Sequence, residues 1–377
     1  MPEHTATGAF FTEPPGRLFL HVSPSPRACP GDDPLDLVSP DIGGLIVSDD
    51  DGVHASAYLE QVADDGAFTG PIIYDPAVYA REIARPDEQP ALFALSREMR
   101  AASIRLQPAR RHAQVSLTPT RYLYPEPYRC LHNAAHAAAE IAAPDIVFAV
   151  PVDHTWLDSP HYRELITVLV DTPGPKALIL GDDDDPLEKL DRAQHLREIV
   201  TSVPGLALLR TGLAGLDALV HGAEFASIGV SAATRRTPPP GLSSTGPRSG
   251  PPEVLVPDLM HYVDGQRFST MLSQTSQVPR CRCPECARGS IEFGERGRPV
   301  TTFTEAADEQ IAHRHNYWLI EEWHATLMRG TESTKRQDRW RRLCAEALGN
   351  HIPINARRHP HSEPLEAPSS LKFWAAG

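Results

Sequence analysis

Three cysteines packed into one short run are the strongest chemical signal in this 377-residue chain. They are Cys281, Cys283 and Cys286 in the run CRCPEC, and the remaining cysteines are scattered. Thiolates are soft ligands that suit zinc, which usually takes four ligands in a tetrahedron. A disulfide framework would instead spread its cysteines along the chain. The spacing therefore predicts a zinc site in a reducing compartment, for which we expect the cytoplasm.

The fourth zinc ligand has to come from another segment of the chain. The nearest downstream histidines are His313, His315 and His324, in a helix predicted over 305–328. His315 lies four residues after Ile311 on the apolar face of that helix, whereas the other two histidines point away from this face. We therefore predict a closed, structural zinc site made by the three cysteines and His315.

Acidic residues at the ends of apolar runs are the second chemical signal. Asp75 ends the run GPIIYD, Asp153 ends DIVFAVPVD, and Asp182 follows KALILG. Such carboxylates can move protons or form a covalent adduct with a substrate. An aspartate after a strand can equally cap the next helix, and this alternative stays open for each of them.

Eight short apolar runs must position these residues. Most are continuous and rich in β-branched residues, which is typical of strands buried on both faces, and helical patterns lie between several of them. The runs cover 18–22, 43–50, 70–75, 113–118, 145–154, 176–185, 205–210 and 225–231. This alternation predicts an α/β fold, a (β/α)8 TIM barrel, in which the carboxyl ends of all strands share one face.

Composition divides the chain into three expected segments. Residues 15–255 are assigned to the barrel, with a mobile loop rich in proline, glycine and serine at 234–253. Residues 256–330 are assigned to a zinc-binding subdomain with the last barrel helix. Residues 331–377 are assigned to a basic helix and an irregular tail.

Charge and hydropathy exclude some classes of protein. The net charge of −13 argues against non-specific coating of nucleic acid. Basic residues are nevertheless concentrated in 328–358, where they can either address a polyanion or form a solvated helix face. No apolar run is long enough to cross a bilayer and no secretory signal is seen, so no membrane partner is expected.

The cysteine run, followed 29 residues later by the dipeptide His315-Asn316, resembles the zinc subdomain of the tRNA-guanine transglycosylases. That family also has a (β/α)8 barrel, and its superfamily includes paralogues that act on DNA. The resemblance implies a pentosyltransferase that exchanges guanine for a 7-deazaguanine-type base, as in queuosine formation. It also implies a structural Zn²⁺, tRNA or DNA and a guanine-like base as partners, and a homodimer or heterodimer.

Further segments carry the resemblance in the same order along the chain. Pro71-Ile72-Ile73-Tyr74-Asp75 is similar to a strand of the family whose final aspartate acts in catalysis, which implies a catalytic role for Asp75. By the same resemblance, substrate-binding roles are implied for Asp153, Gly212, Arg235 and Arg236.

The position of the family's nucleophile differs in this chain. The family has a Gly-Val-Asp-Met-Phe pattern, whereas Gly222-Ala223-Glu224-Phe225-Ala226 leads to Ser227 here. Serine attacks a sugar carbon poorly without a strong base, and the sequence offers Ser227 no evident activating partner. Glu224 and Asp75 are then the candidate nucleophiles of a divergent enzyme. The alternative is a catalytically silent paralogue that binds base or nucleic acid or serves as a partner subunit.

Overall fold

The computed structural model describes residues 16–24, 33–49, 53–66, 68–86, 102–104, 108–141, 143–242, 250–288, 293, 296–330 and 332–377. The chain divides into two compact units. The first unit contains Met1–Leu187, Asp191–Gly229 and Ala233–Ser244. The second contains Glu188–Leu190, Val230–Ala232 and Thr245–Gly377.

Eight parallel strands close into a barrel in the first unit, which confirms the predicted fold. The strands are β1 (Arg17–Val22), β2 (Gly43–Ser48), β3 (Ile72–Asp75), β4 (Val115–Leu117), β5 (Ile146–Asp153), β6 (Lys176–Gly181), β7 (Leu206–Thr211) and β8 (Phe225–Gly229). Each overlaps one of the eight predicted apolar runs. Strand β1 pairs with both β2 and β8, so the sheet has no free edge.

Among the described residues, six α-helices follow individual strands and surround the barrel. They are α1 (Val53–Asp64), α2 (Arg129–Ile141), α3 (His161–Asp171), α4 (Leu190–Ser202), α5 (Ala214–Val220) and α6 (Ala232–Arg235). At the end of β2, Asp49 caps the next helix, because one of its carboxylate oxygens accepts a hydrogen bond from the Ala55 amide at 2.8 Å.

The barrel interior changes character along the strands. Alternate residues point inward, and an apolar layer includes Phe19, Ile46, Ile73 and Phe225. Two residues further along the same four strands the inward positions are polar: His21, Ser48, Asp75 and Ser227. The other strands keep apolar residues in the core, including Leu117, Ala149, Ile179 and Leu209. The polar side chains therefore occupy one side of the barrel, towards its C-terminal end.

Two short sheets and five helices make up the described part of the second unit. Strands β9 (Glu253–Val256) and β10 (His261–Asp264) pair with each other, as do β11 (Arg280–Cys281) and β12 (Arg298–Pro299). The helices are α7 (Gly265–Met271), α8 (Pro284–Arg288), α9 (Glu309–Leu327), α10 (Ser333–Ala356) and α11 (Ser369–Ala376).

The C-terminal residues are more ordered than predicted. The basic helix α10 continues through Pro353 to Ala356, and α11 forms where an irregular tail was expected. Helices α10 and α11 pack together, with Trp340 and Trp374 rings 5.4 Å apart. Residues 256–330 and 331–377, expected as separate segments, fall in one unit. One reason is that the Asn350 side chain donates to the Asp258 carbonyl at 3.0 Å.

Part of the predicted proline-rich loop, 243–249 of the range 234–253, lies outside the described residues. So does Asp50, the last residue of the predicted apolar run 43–50. Within the described ranges, no helix combines the length and the apolar character needed to cross a bilayer.

Candidate functional site

The predicted cysteine and histidine ligands meet in one buried cluster in the second unit. The ligand atoms of Cys281, Cys283, Cys286 and His315 all lie within 4.8 Å of one another. Each of the four residues is at most 3% exposed. Three thiols and one imidazole at this spacing form a donor set that can hold a metal ion such as zinc.

Local backbone geometry gathers the three thiols. Cys281 ends β11, and α8 begins three residues later, so the chain folds back tightly on itself. The Cys283 amide donates to the Cys281 sulfur and the Cys286 amide donates to the Cys283 sulfur, each at 3.3 Å. Amide donors of this kind favour the thiolate form, which is the form that binds metal.

The histidine reaches the thiols from helix α9. His315 Nδ1 lies 3.5 Å from the Cys283 sulfur and 3.4 Å from the Cys286 sulfur. Its other nitrogen, Nε2, lies 2.8 Å from the Leu255 carbonyl oxygen of β9 and donates to it. A proton on Nε2 leaves the Nδ1 lone pair free to bind a metal.

The residues beside the ligands hold the two segments together. The Asn316 side chain accepts from the Leu255 amide at 2.7 Å and donates to the Glu253 carbonyl at 3.0 Å, so it ties α9 to β9. Arg314 Nε donates to a Glu285 carboxylate oxygen at 2.5 Å, which links α9 to the cysteine turn. The metal ligands are therefore flanked by residues that fix their backbone positions.

Proximity of the thiols changes their acidity. Hydrogen bonds from Cys283 and Cys286 lower the pKa of Cys281 to about 4. Hydrogen bonds with Cys281 and Cys283 raise the pKa of Cys286. Three thiols this close cannot all ionise without a cation, which is the electrostatic role that a bound metal ion would fill.

The other two candidate histidines stay outside the cluster. His313 lies 3.9 Å from Glu309 on its own helix. His324 also lies outside the cluster, although it is only 2% exposed. The packing of α9 buries more than the single face that the spacing indicated.

A second polar cluster lies inside the barrel, and we call its four residues Ser227, His21, Ser48 and Asp75 the polar arc. They come from the adjacent strands β8, β1, β2 and β3. Ser227 Oγ lies 3.1 Å from His21 Nδ1, and His21 Nε2 lies 2.6 Å from Ser48 Oγ. Ser48 Oγ donates to Asp75 Oδ2 at 2.7 Å. All four side chains are buried, at most 3% exposed.

Hydrogen-bond accounting fixes the direction of the arc. The Asp75 carboxylate only accepts, so Ser48 donates its proton there and accepts from His21 Nε2. His21 Nδ1 is then an acceptor, and Ser227 donates to it. Ser227 in turn accepts from the Arg210 amide at 3.0 Å. Ser227 thus has an imidazole partner, which corrects the expectation that it lacks one.

Tyr79 and Arg210 complete the surroundings of the arc. Tyr79 donates to Asp75 Oδ2 at 2.5 Å, and the Ala77 amide donates to Oδ1 at 2.9 Å. Burial and the Asp75 carboxylate raise the pKa of Tyr79 well above its usual value. Burial and the Arg210 guanidinium lower the pKa of His21 well below its usual value, so its imidazole is neutral at neutral pH.

Asp153 lies at the same end of the barrel as Asp75, two strands away. Tyr122 donates to Asp153 Oδ2 at 3.0 Å, and the Thr155 amide and hydroxyl donate to Oδ1. Burial and Asp153 raise the pKa of Tyr122. The ring of Tyr124, which is 36% exposed, packs edge-on against Tyr122 at 5.3 Å.

Asp182 extends this second group of side chains at the end of β6. Its carboxylate lies 2.9 Å from His154 Nδ1 and accepts from the Asp184 amide at 2.9 Å. Burial opposes ionisation of Asp182, but these bonds outweigh it and lower its pKa to about 2. The bond to Asp182 raises the pKa of His154. The sequence did not indicate the pairing of Asp182 with His154.

The remaining predicted substrate-binding residues surround the ends of β7 and β8. The Gly212 carbonyl accepts from the Gly215 amide at 3.1 Å at the start of α5. Arg235 NH1 donates to the Gly229 carbonyl at 3.4 Å. Arg236 NH2 lies 3.6 Å from an Asp184 carboxylate oxygen, and its own carbonyl accepts from Arg210.

Glu224 does not join either cluster. It directly precedes β8, and its carbonyl accepts from the Gly16 amide just before β1. Since the strands are parallel, Glu224 lies at the N-terminal end of the barrel and Asp75 at the C-terminal end. Its pKa is raised by burial. The structure therefore removes Glu224 from the candidate nucleophiles near Asp153.

The sequence reasoning missed four residues of these clusters: His21, Ser48, Tyr79 and Tyr122. A signal existed for the first two, because His21 and Ser48 are polar residues at inward positions of otherwise apolar strands. Tyr79 and Tyr122 lie in the segments that follow β3 and β4, and the paths of these segments depend on the folded barrel.

No protein-family model matches this chain, and no curated protein matches its sequence.

Proposed function

We propose that this chain is a tRNA-guanine transglycosylase-like protein that binds a guanine-like base at the C-terminal end of its barrel and exchanges it in tRNA or DNA. The observation that carries the proposal is Asp153, an acceptor-only group at the end of β5 with the exposed Tyr124 ring close by. The guanine edge presents N–H donors, which a carboxylate accepts. An aromatic face provides stacking for an unstacked base.

The acceptor capacity of Asp153 supports this assignment. A carboxylate offers about four acceptor positions, and the hydrogen bonds from Tyr122 and Thr155 use three of them. A donor from the base can take the remaining position. Tyr122 and Thr155 hold the carboxylate in one orientation, so that a base lacking the matching N–H group leaves a buried acceptor unpaired and binds less well.

In the exchange reaction, Asp75 is the carboxylate that we assign to the sugar carbon or to proton transfer on the base. Base exchange needs a carboxylate that holds the sugar while one base leaves and another enters. Asp75 is the carboxylate of the polar arc, and Glu224 lies at the other end of the barrel. We assign zinc to the Cys281, Cys283, Cys286 and His315 cluster, in a structural role.

A second candidate function is a catalytically silent paralogue that binds a base or nucleic acid, or serves as a partner subunit. It is favoured by the enclosure of Asp75, which is 0% exposed and already accepts three hydrogen bonds. A carboxylate in this state needs rearrangement before it can attack a sugar.

The test measures incorporation of radiolabelled guanine and of a 7-deazaguanine into tRNA and into duplex DNA. Binding of the free base is measured in parallel by calorimetry. Incorporation that Asp75→Asn abolishes supports exchange. Base binding without incorporation supports the silent paralogue. Absence of both, for the wild-type chain with its metal bound, contradicts the proposal.

A further inference from the structure

The polar arc joins a serine hydroxyl, an imidazole and a carboxylate in one directed sequence of hydrogen bonds. The base-exchange function proposed above uses only its carboxylate. We propose that Ser227 is a nucleophile with His21 as its general base, and that the chain has a serine-dependent acyl-transfer activity on esters. This proposal does not depend on base exchange.

The contacts on both sides of His21 give it the tautomer that a general base needs. Its Nε2 proton points to Ser48, so the Nδ1 lone pair faces the Ser227 hydroxyl at 3.1 Å. This is within the reach required for proton transfer. Ser48 stands between the imidazole and Asp75, and its hydroxyl both accepts from His21 and donates to the carboxylate. The arc therefore has the roles of a serine–histidine–aspartate triad with one hydroxyl inserted.

The proposed reaction proceeds in two balanced steps. Ser227 Oγ attacks the ester carbonyl carbon while its proton moves to His21 Nδ1, and the alkoxide that leaves takes that proton as an alcohol. Water then attacks the acyl-serine, again giving its proton to Nδ1. The carboxylic acid leaves and Ser227 Oγ recovers a proton from His21. The Asp75 charge, relayed through Ser48, stabilises the imidazolium that forms in each step.

Polar residues at these inward positions are costly for stability alone. Burying a hydroxyl, an imidazole and a carboxylate in a barrel interior is unfavourable unless every group is hydrogen-bonded. The remaining strands of the barrel place Leu117, Ile179 and Leu209 in the core instead. The arc lies at the C-terminal end of the barrel, where the chemistry of this fold occurs. Such local departures from a stable core are expected at functional sites.

Arg210 covers the arc in this structure. Its guanidinium donates to the Ala233 carbonyl at 2.8 Å and the Arg236 carbonyl at 3.2 Å. Its NH1 lies 3.4 Å from His21 Nε2, the ring nitrogen that also faces Ser48. The Arg210 backbone is left-handed, with φ of 54°, which is an unusual conformation for arginine.

Arg210 therefore acts on the arc in two ways. It closes access to Ser227, which is 0% exposed. Its positive charge also opposes formation of the imidazolium on His21. Displacing the guanidinium from the two carbonyls opens the site and makes His21 a stronger base at the same time. We expect ester binding to require this displacement.

The test treats the purified full chain, with its metal bound, with a fluorophosphonate probe and locates the adduct by peptide mass spectrometry. A single adduct on Ser227 is expected. His21→Gln should slow labelling at least about 100-fold, which is the usual scale for loss of a general base. Arg210→Gln should speed labelling by about tenfold, because it removes both the cover and the opposing charge. Arg342→Gln, an exposed change on α10, should leave the rate unchanged.

Hydrolysis of p-nitrophenyl acetate provides a second readout, with an initial burst expected from the acyl-serine. Circular dichroism and metal content establish that each variant is folded. Ser227→Ala should abolish labelling. If that variant does not fold, Ser48→Ala replaces it and should slow labelling while the adduct stays on Ser227. Labelling of another residue, labelling that His21→Gln leaves unchanged, or no adduct even in Arg210→Gln would overturn the proposal. The probe contains no base, so failure of base exchange leaves this result interpretable.

Discussion

The Nε2 nitrogen of His315 lies 2.8 Å from the carbonyl oxygen of Leu255, and this contact decides which ring nitrogen faces the three thiols. A donor on one side of the ring leaves a lone pair on the other, at 3.4 Å from the Cys286 sulfur and 3.5 Å from the Cys283 sulfur. The Leu255 carbonyl of strand β9 thereby sets the tautomer in which His315, on helix α9, can bind a metal ion.

Metal content is the first prediction. The purified chain should contain about one zinc ion, because three thiolates and one imidazole form a complete tetrahedral set. Cys283→Ser should lose the metal and lower the melting temperature, since binding of a structural zinc contributes directly to folding. Elemental analysis and thermal melts measure this. Unchanged zinc content and melting temperature in Cys283→Ser would contradict the assignment.

The choice of histidine is tested by a matched pair on the same helix. His315→Ala should reduce zinc content and stability, because it removes a ligand and leaves the Leu255 carbonyl unpaired. His313→Ala should retain zinc, because His313 lies outside the cluster and is 3.9 Å from Glu309 on its own helix. Equal zinc loss in both variants would show that the effect comes from damage to α9 in general.

Recognition of the base is tested at Asp153. Asp153→Asn should weaken binding of guanine by at least about tenfold, since an amide presents donors where the base presents donors too. Tyr122→Phe should weaken it less, because it loses only one of the bonds that orient the carboxylate. Calorimetry with free guanine gives the affinities. Adenine serves as the ligand control and should bind poorly to every variant.

The His154–Asp182 pair predicts a dependence of stability on pH. The pKa of Asp182 is lowered to about 2, so its contribution is present above the unfolded value of 3.8 and is lost as the pH falls towards 2. The pKa of His154 is raised above 6.5, so its contribution is present below 6.5 and is lost as the pH rises through the folded value. Asp182→Asn should therefore lower the free energy of unfolding by about 1 kcal/mol near pH 5.5 and by less at pH 9.

Urea unfolding at the two pH values measures that difference. Asp171→Asn provides the control, because Asp171 is exposed at the end of α3 and should show little change at either pH. An equal loss of stability for Asp182→Asn at pH 5.5 and pH 9 would mean that the charge pair contributes nothing.

The polar arc itself predicts a stability effect separate from any chemistry. Ser48→Ala leaves His21 Nε2–H and Asp75 Oδ2 each without one buried partner, and an unsatisfied buried group costs roughly 1 to 3 kcal/mol. Ser116→Ala is the matched control, because Ser116 is equally buried and its hydroxyl makes no hydrogen bond. Chemical unfolding should therefore give a clearly lower free energy of unfolding for Ser48→Ala than for Ser116→Ala.

Local sequence patterns were sufficient to predict the barrel and the metal ligands. Strands that are buried on both faces consist of continuous apolar residues, so a strand such as β5 can be recognised directly in the sequence. The cysteine turn is also local, since Cys281, Cys283 and Cys286 lie on one short segment. Helical periodicity then selected His315 correctly. Periodicity did not indicate that His324 is buried as well, because burial around α9 depends on several neighbouring segments.

Only the tertiary structure decided the partners of Ser227. Its imidazole lies 206 residues away in sequence, and barrel closure between β1 and β8 brings the two together. Likewise, parallel pairing decided that Glu224 and Asp75 occupy opposite ends of the barrel, although Glu224 is only three residues from Ser227. Sequence determines which side chains point inward along each strand, whereas register between strands determines which of them meet, and that register arises from packing of the whole barrel.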